Sequence, residues 1–491
     1  MSRSRLPARS IGGWLAVGVI LAATAILTRP LTSVRAQANT VKWDQPVKIS
    51  NDTGQTFYPT IVVDLDGNVH IFWAQGGIGA SYADSIYHSM YDGQSWSEPR
   101  DLFIAQEGES FNFPSAAISA DGNIQLVWAS SGGTYYASAP AVQAGNVRAW
   151  SPAQIIAPAG VVSQPRIVVD PVNNVFHVLF TQRIPGTNVS YLKSTDGGQS
   201  WSDPIAVSQL VPGDPQIPEA VRAALDSKGR LHVVWSENYP PLFVSRHVYY
   251  VRSDDLGETW STPTDLSDLT RDDDWDAAIH VVVDNEDNVD VVWTCGVNPG
   301  RCYRRSGDHG NSWSSAQHLF EGLVGISGWD SMAADKTGNV FWLGALRYPQ
   351  AQYSSILNNN RWQEPPQAVI TEQDSETLAN GHFPQMVINR GNQIHIAFVE
   401  LDHGPIWYLH GTTSEAAQPL PPTPTPVPTA TPIRQPTEIR PTTTPEPTKR
   451  PLVSKDLVNP DPGLRPILWA AGPVILIVLG AIGWTLWRNR H

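Results

Sequence analysis

Residues 61–73 read Ile-Val-Val-Asp-Leu-Asp-Gly-Asn-Val-His-Ile-Phe-Trp. An apolar run meets an Asp-x-x-Gly-Asn turn, and an alternating apolar–polar run leaves it. Period-two patterning on both sides of a Gly/Asn turn is a β-hairpin signal. The pattern returns six more times, ending at Trp128, Phe180, Trp235, Trp293, Gly344 and Phe398. A second motif, Trp-x-x-Pro or nearly so, starts at Trp43, Trp96, Trp150, Trp201, Trp260, Trp313 and Trp362. Its spacings run from 49 to 59 residues. Third-strand segments such as IYHSM (86–90), VSYLKS (189–194) and VYYVRS (248–253) lie between the two motifs.

Four strands per unit, repeated seven times, predict an all-β fold: a seven-bladed β-propeller of four-stranded antiparallel blades. The last unit runs out at 406–410 with no Trp-x-x-Pro strand after it. The first such strand, 43–49, has no hairpin before it. The N- and C-terminal strands therefore close the ring by completing one blade together, which removes exposed sheet edges.

The propeller reading covers 39–412, and the flanks read differently. Residues 1–38 carry Arg3, Arg5 and Arg9, an apolar run at 11–27 and a small-x-small site at Ala36-Gln37-Ala38. That is a signal peptide or an uncleaved signal anchor. Residues 413–465 form a Pro/Thr-rich stalk, with 12 prolines and 9 threonines between Pro419 and Pro451. Proline density on this scale excludes helix and sheet and predicts an extended, disordered chain. Residues 466–487 are uncharged and long enough to span a bilayer. Arg488 and Arg490 in the tail, 488–491, place that end in the cytoplasm. The expected location is the cell membrane, single-pass, with the propeller on the extracytoplasmic side.

Charge agrees with this division. Residues 39–412 carry −21, although the whole chain of 491 residues carries −13. So acidic a domain argues against nucleic acid as a partner. The two cysteines, Cys295 and Cys302, flank Gly-Val-Asn-Pro-Gly-Arg across a hairpin mouth. In an exported domain they are expected to form a disulfide.

Three units carry a sharper turn. Ser194, Asp196, Gly198 and Trp201 recur as Ser253, Asp255, Gly257 and Trp260, and as Ser306, Asp308, Gly310 and Trp313. The carboxylate can accept backbone N–H groups within the turn, glycine permits φ > 0, and tryptophan packs between blades. These boxes resemble the BNR/Asp-box, sialidase-like propeller superfamily, over roughly 43–410. In that superfamily the boxes lie on the blade periphery, so they report fold and not chemistry.

The resemblance implies an arginine clamp for a carboxylate, a Tyr nucleophile paired with Glu, and an Asp acid/base. Here Thr60 stands where the first arginine belongs. Asp84 sits near the acid position. Arg166 opens the third inner strand, but Asn188 occupies that unit's Asp position. Arg222 and His280 align with Arg166 in the next two units, and inner strands line a propeller's channel. Glu219, Asp276 and Asp330 lie just before or within inner strands and complete the candidate pocket. Tyr353-Ser354-Ser355 matches the family's tyrosine motif by coincidence, since it falls on an outer strand.

No cofactor is expected. Asp272–Asp274 and Asp284–Asp287 are oxygen-rich and raise a calcium reading; the second run is better read as a hairpin turn. Three functions stay open. The leading one is a membrane-anchored propeller that recognises an extracellular glycan or other polymer. The others are an exo-sialidase-type hydrolase and a cell-envelope scaffold that binds protein.

Overall fold

The computed structural model describes residues 40–420, except 52, 159–161, 183–187, 210–216, 240–243, 268–276, 297–299 and 326–329. The leader, most of the stalk and the apolar segment 466–487 lie outside the described residues. Among the described residues no helix is long and apolar enough to cross a membrane.

The described chain is a ring of seven antiparallel sheets. Blade 1 runs Gly54–Val63, Val69–Gly77, Ser85–Tyr91 and Arg100–Ile104 from the channel outward. Blade 2 begins at Phe111–Ile118, blade 3 at Val162–Asp170, blade 4 at Ile217–Leu225 and blade 5 at Ala277–Val283. Blades 6 and 7 begin at Ser331–Ala334 and His382–Asn389. Each first strand packs beside the first strands of its two neighbours, so these seven strands line the channel. Blade 7 takes its outer edge from the other end of the chain. Lys42–Trp43 and Val47–Lys48 both pair with Ile406–Thr412. The ring closes as the two half-units in the sequence require. Helix is confined to the four residues of Glu376–Ala379 and three short 3₁₀ turns among the described residues.

The repeat holds together through recurring contacts. In the Asp-x-x-Gly-Asn turns the carboxylate accepts backbone N–H groups two and four residues on, as Asp64 does from Asp66 and Asn68. Asp284 does the same from Glu286 and Asn288 and also pairs with Arg305. That run is the hairpin turn of its blade. The tryptophans within the second strands, Trp73, Trp128, Trp235 and Trp293, are fully buried.

A second contact joins blades. The tryptophan of one blade meets a third-strand tyrosine of the preceding blade edge-on: Trp260 on Tyr191 at 5.0 Å, Trp313 on Tyr250 at 4.8 Å. Edge-to-face aromatic pairs are favourable beyond the area they bury. The tyrosine hydroxyl shares a hydrogen bond with a second-strand histidine, His177 for Tyr191 and His232 for Tyr250. The Asp box seats the tryptophan: Asp255 accepts the Thr259 N–H at 2.8 Å and the Ser253 hydroxyl at 2.8 Å. Cys295 and Cys302 form a disulfide between the second and third strands of blade 5.

Candidate functional site: the channel mouth

The first strands are not regular. In six blades the register slips near the strand's start, between Phe57 and Thr60 in blade 1 and at matching places in blades 2, 3, 4, 5 and 7. One residue of each bulge has a left-handed backbone: Tyr58, Phe113, Gln164, Ala220, Ala278 and Phe383, with φ from 46 to 56°. A bulge bends the strand and re-aims its side chains. Here it turns the first strands into the mouth of the channel.

Two residues after each bulge position stand Thr60, Ser115, Arg166, Arg222, His280 and Gln385, paired across to the second strand in the same register. Blades 3, 4 and 5 thus place Arg166, Arg222 and His280 side by side. Arg222 is buried, and its Nη1 donates to the Val221 carbonyl at 3.0 Å. Arg166 is half-buried, and its Nε has no hydrogen-bond partner among the described residues. Burial lowers the Arg166 guanidinium to about 10. Burial, then the charge of Arg166, holds Arg222 well below the ordinary arginine value. Burial and both arginines hold His280 well below 6.5, so its imidazole is neutral at pH 7. The three groups feel one another's charge across neighbouring blades.

Tyr58, Phe113 and Phe383 complete the mouth. Tyr58 stacks on Phe113 with ring centroids 3.8 Å apart and meets Phe383 edge-on at 4.7 Å. With Gln164, Gln385, Arg166 and Arg222 they line a shallow opening with a cavity of about 20 Å³. Burial, then the negative charge of Glu219, pushes the Tyr58 phenol up to about 12. Glu219 therefore lies within electrostatic reach of Tyr58, although the two belong to blades 4 and 1.

The other expected acids separate. Asp330 is fully buried between blades: Arg301 Nη2 donates to it at 2.8 Å and Trp342 Nε1 at 2.9 Å. Both of its oxygens are committed to that ion pair, so the structure removes it from the pocket. Asp84 is exposed at the start of a third strand, accepts the Ser85 hydroxyl, and does not line the mouth. Asp276 and Asp272–Asp274 lie outside the described residues. Tyr353 is buried on a third strand, with its hydroxyl on the Pro349 carbonyl. The aromatic residues were not among the expected site residues. Their signal was available: Tyr58-Pro59, Phe113-Pro114, Gln164-Pro165 and Phe383-Pro384 stand at one offset before the hairpin turn.

Residues 30–217 match the family model described as a BNR repeat-like domain. Over that stretch the propeller is similar to a BNR repeat-like domain. No curated protein matches the chain. Among solved structures, the propeller resembles a polysaccharide lyase, the PL25 ulvan lyase bound to -[GlcA(1-4)Rha3S]-. That likeness has a TM-score of 0.54 at 11% identity, over 76% of this chain and 97% of that one. The polysaccharide lyase Uly1 gives 0.53 at 10% identity, over 76% and 100%. A Hadza microbial sialidase, Hz136, gives 0.44 at 12% identity, over 76% and 69%. At such identities the property that this propeller and the two lyases share is the fold.

Proposed function

We propose that this chain is an extracytoplasmic, membrane-anchored propeller that binds acidic saccharides at the channel mouth. One observation carries the reading: Arg166, Arg222 and His280 occupy the same register position in three adjacent blades, and the two arginines line one opening. Guanidinium forks match carboxylate and sulfate oxygens bidentately. The leader at 1–38 exports the propeller, and the 466–487 segment holds it to the membrane through the stalk. Residues 413–420 leave along the hairpin-turn end of blade 7, where Gln418 N–H donates to the Arg390 carbonyl. That end is opposite the bulges. The propeller surface around the mouth stays clear of this departing strand. No metal or cofactor enters the reading.

The test is retention of the full chain on immobilised polygalacturonate against immobilised neutral dextran. Retention on the acidic matrix alone, lost in Arg166→Gln, supports the reading. Equal behaviour on both matrices rejects it.

A second reading has its own observation. Glu219 lies within electrostatic reach of Tyr58, and a Tyr–Glu pair beside arginines is what a sialidase-type hydrolase uses. Thr60 in place of the first arginine weighs against it. Release of fluorophore from a fluorogenic sialoside, abolished in Tyr58→Phe, would make this an enzyme. No turnover leaves the binding protein.

A further inference from the structure

The bulge positions are occupied in an unexpected way. A left-handed backbone suits glycine, because a Cβ there crowds the following carbonyl. None of the six described bulge positions is glycine. Side chains held in such conformations cluster where they have a task.

Their order around the ring suggests the task. Blades 7, 1 and 2 are consecutive and carry Phe383, Tyr58 and Phe113 at the bulge. Blades 4 and 5 carry alanine there, which leaves room for Arg222 and His280 two residues on. The mouth is therefore two-sided, with an aromatic arc on one wall and a cationic arc, made by Arg166 and Arg222, on the other. The rings are half-exposed, unlike the fully buried Trp73 and Trp128 of the core. Rings placed only to fill space would be buried as those are.

We infer that Phe113, Phe383 and Tyr58 form a stacking platform for the apolar C–H face of a sugar ring whose anionic group lies on the cationic arc. This rests on the saccharide reading above and narrows it. The ligand is an acidic sugar presenting a flat apolar face on the side away from its charge. A bare anion engages one wall only.

The experiment titrates the full chain with D-glucuronate and, separately, with acetate. Phe113→Gly and Phe383→Gly each remove a ring and relieve the left-handed backbone. Each is expected to weaken glucuronate about 5-fold, a usual size for one aromatic contact. Acetate affinity stays unchanged, and the thermal midpoint stays level or rises. Glucuronate binding that survives both variants but is lost in Arg166→Gln overturns the platform and leaves the acidic-saccharide reading standing. A lowered midpoint with parallel loss of both ligands shows a structural plug and also overturns it. No binding of glucuronate to the unmodified chain overturns both proposals.

Discussion

Asp330 and Arg166 are both charged residues of the channel region, and their surroundings give them opposite roles. Asp330 has both oxygens engaged by Arg301 and Trp342 and no exposure to solvent. Removing one partner of a buried pair leaves the other charge uncompensated, at a cost of about 3–5 kcal/mol. Asp330→Ala is expected to lower the unfolding free energy by that amount in a urea titration. Its residual folded fraction should bind acidic sugar as before. Loss of binding without loss of stability would return Asp330 to the pocket. The sequence could not show this pairing, because Arg301 and Asp330 belong to different blades and meet only once the ring exists. The register of Arg166, Arg222 and His280 was legible, since each stands four residues before the aligned hairpin-turn Asp. The aromatic arc was missed for a physical reason. A bulge shifts pairing by a residue, so strict period-two alternation assigns Tyr58 and Phe113 no special place.

At the scale of the element, the Asp box is a turn built to seat a neighbour. The Ser200 hydroxyl, then the Ser200 N–H, hold the Asp196 carboxyl down to about 2. Yet the turn is exposed and the bonds are local, so its glycine matters more than its acid. Gly257 has φ 84°, and a Cβ there would overlap the Tyr191 hydroxyl of the preceding blade. Gly257→Ala is expected to cost about 2–3 kcal/mol through strain and overpacking. Asp255→Ala should cost about 1 kcal/mol through lost hydrogen bonds. Denaturant midpoints of the two variants check the order, and the reverse order would show that the turn, not the blade contact, dominates. The three complete boxes were readable in the sequence because their contacts span eight residues. Their tyrosine partners were not, because Tyr191 lies 66 residues from Gly257.

Across the whole molecule, the ring closes through Ile406–Thr412 and the strands near Trp43, and stability is shared among seven similar interfaces. Several of these bury a neutral histidine. Burial lowers His177 to about 4, and burial with His410 lowers His395 to about 3. The unfolded chain takes up protons at these groups below pH 6.5, and the folded chain does not until about pH 4 and 3. Their contribution is complete above pH 6.5 and falls as pH drops through that window, by about 1.4 kcal/mol per unit for each histidine. The thermal midpoint should therefore decline steadily from pH 6.5 to 4. A flat profile would show these histidines charged in the folded ring.

The central claim is that a cationic arc at the channel mouth of an otherwise acidic propeller selects an acidic sugar. Calorimetric titration of the full chain with D-glucuronate and with D-glucose at pH 7 tests it most directly. The account predicts saturable binding of glucuronate that disappears in Arg166→Gln, and none for glucose. Equal response to the two sugars, or glucuronate binding that survives the loss of Arg166, would contradict it.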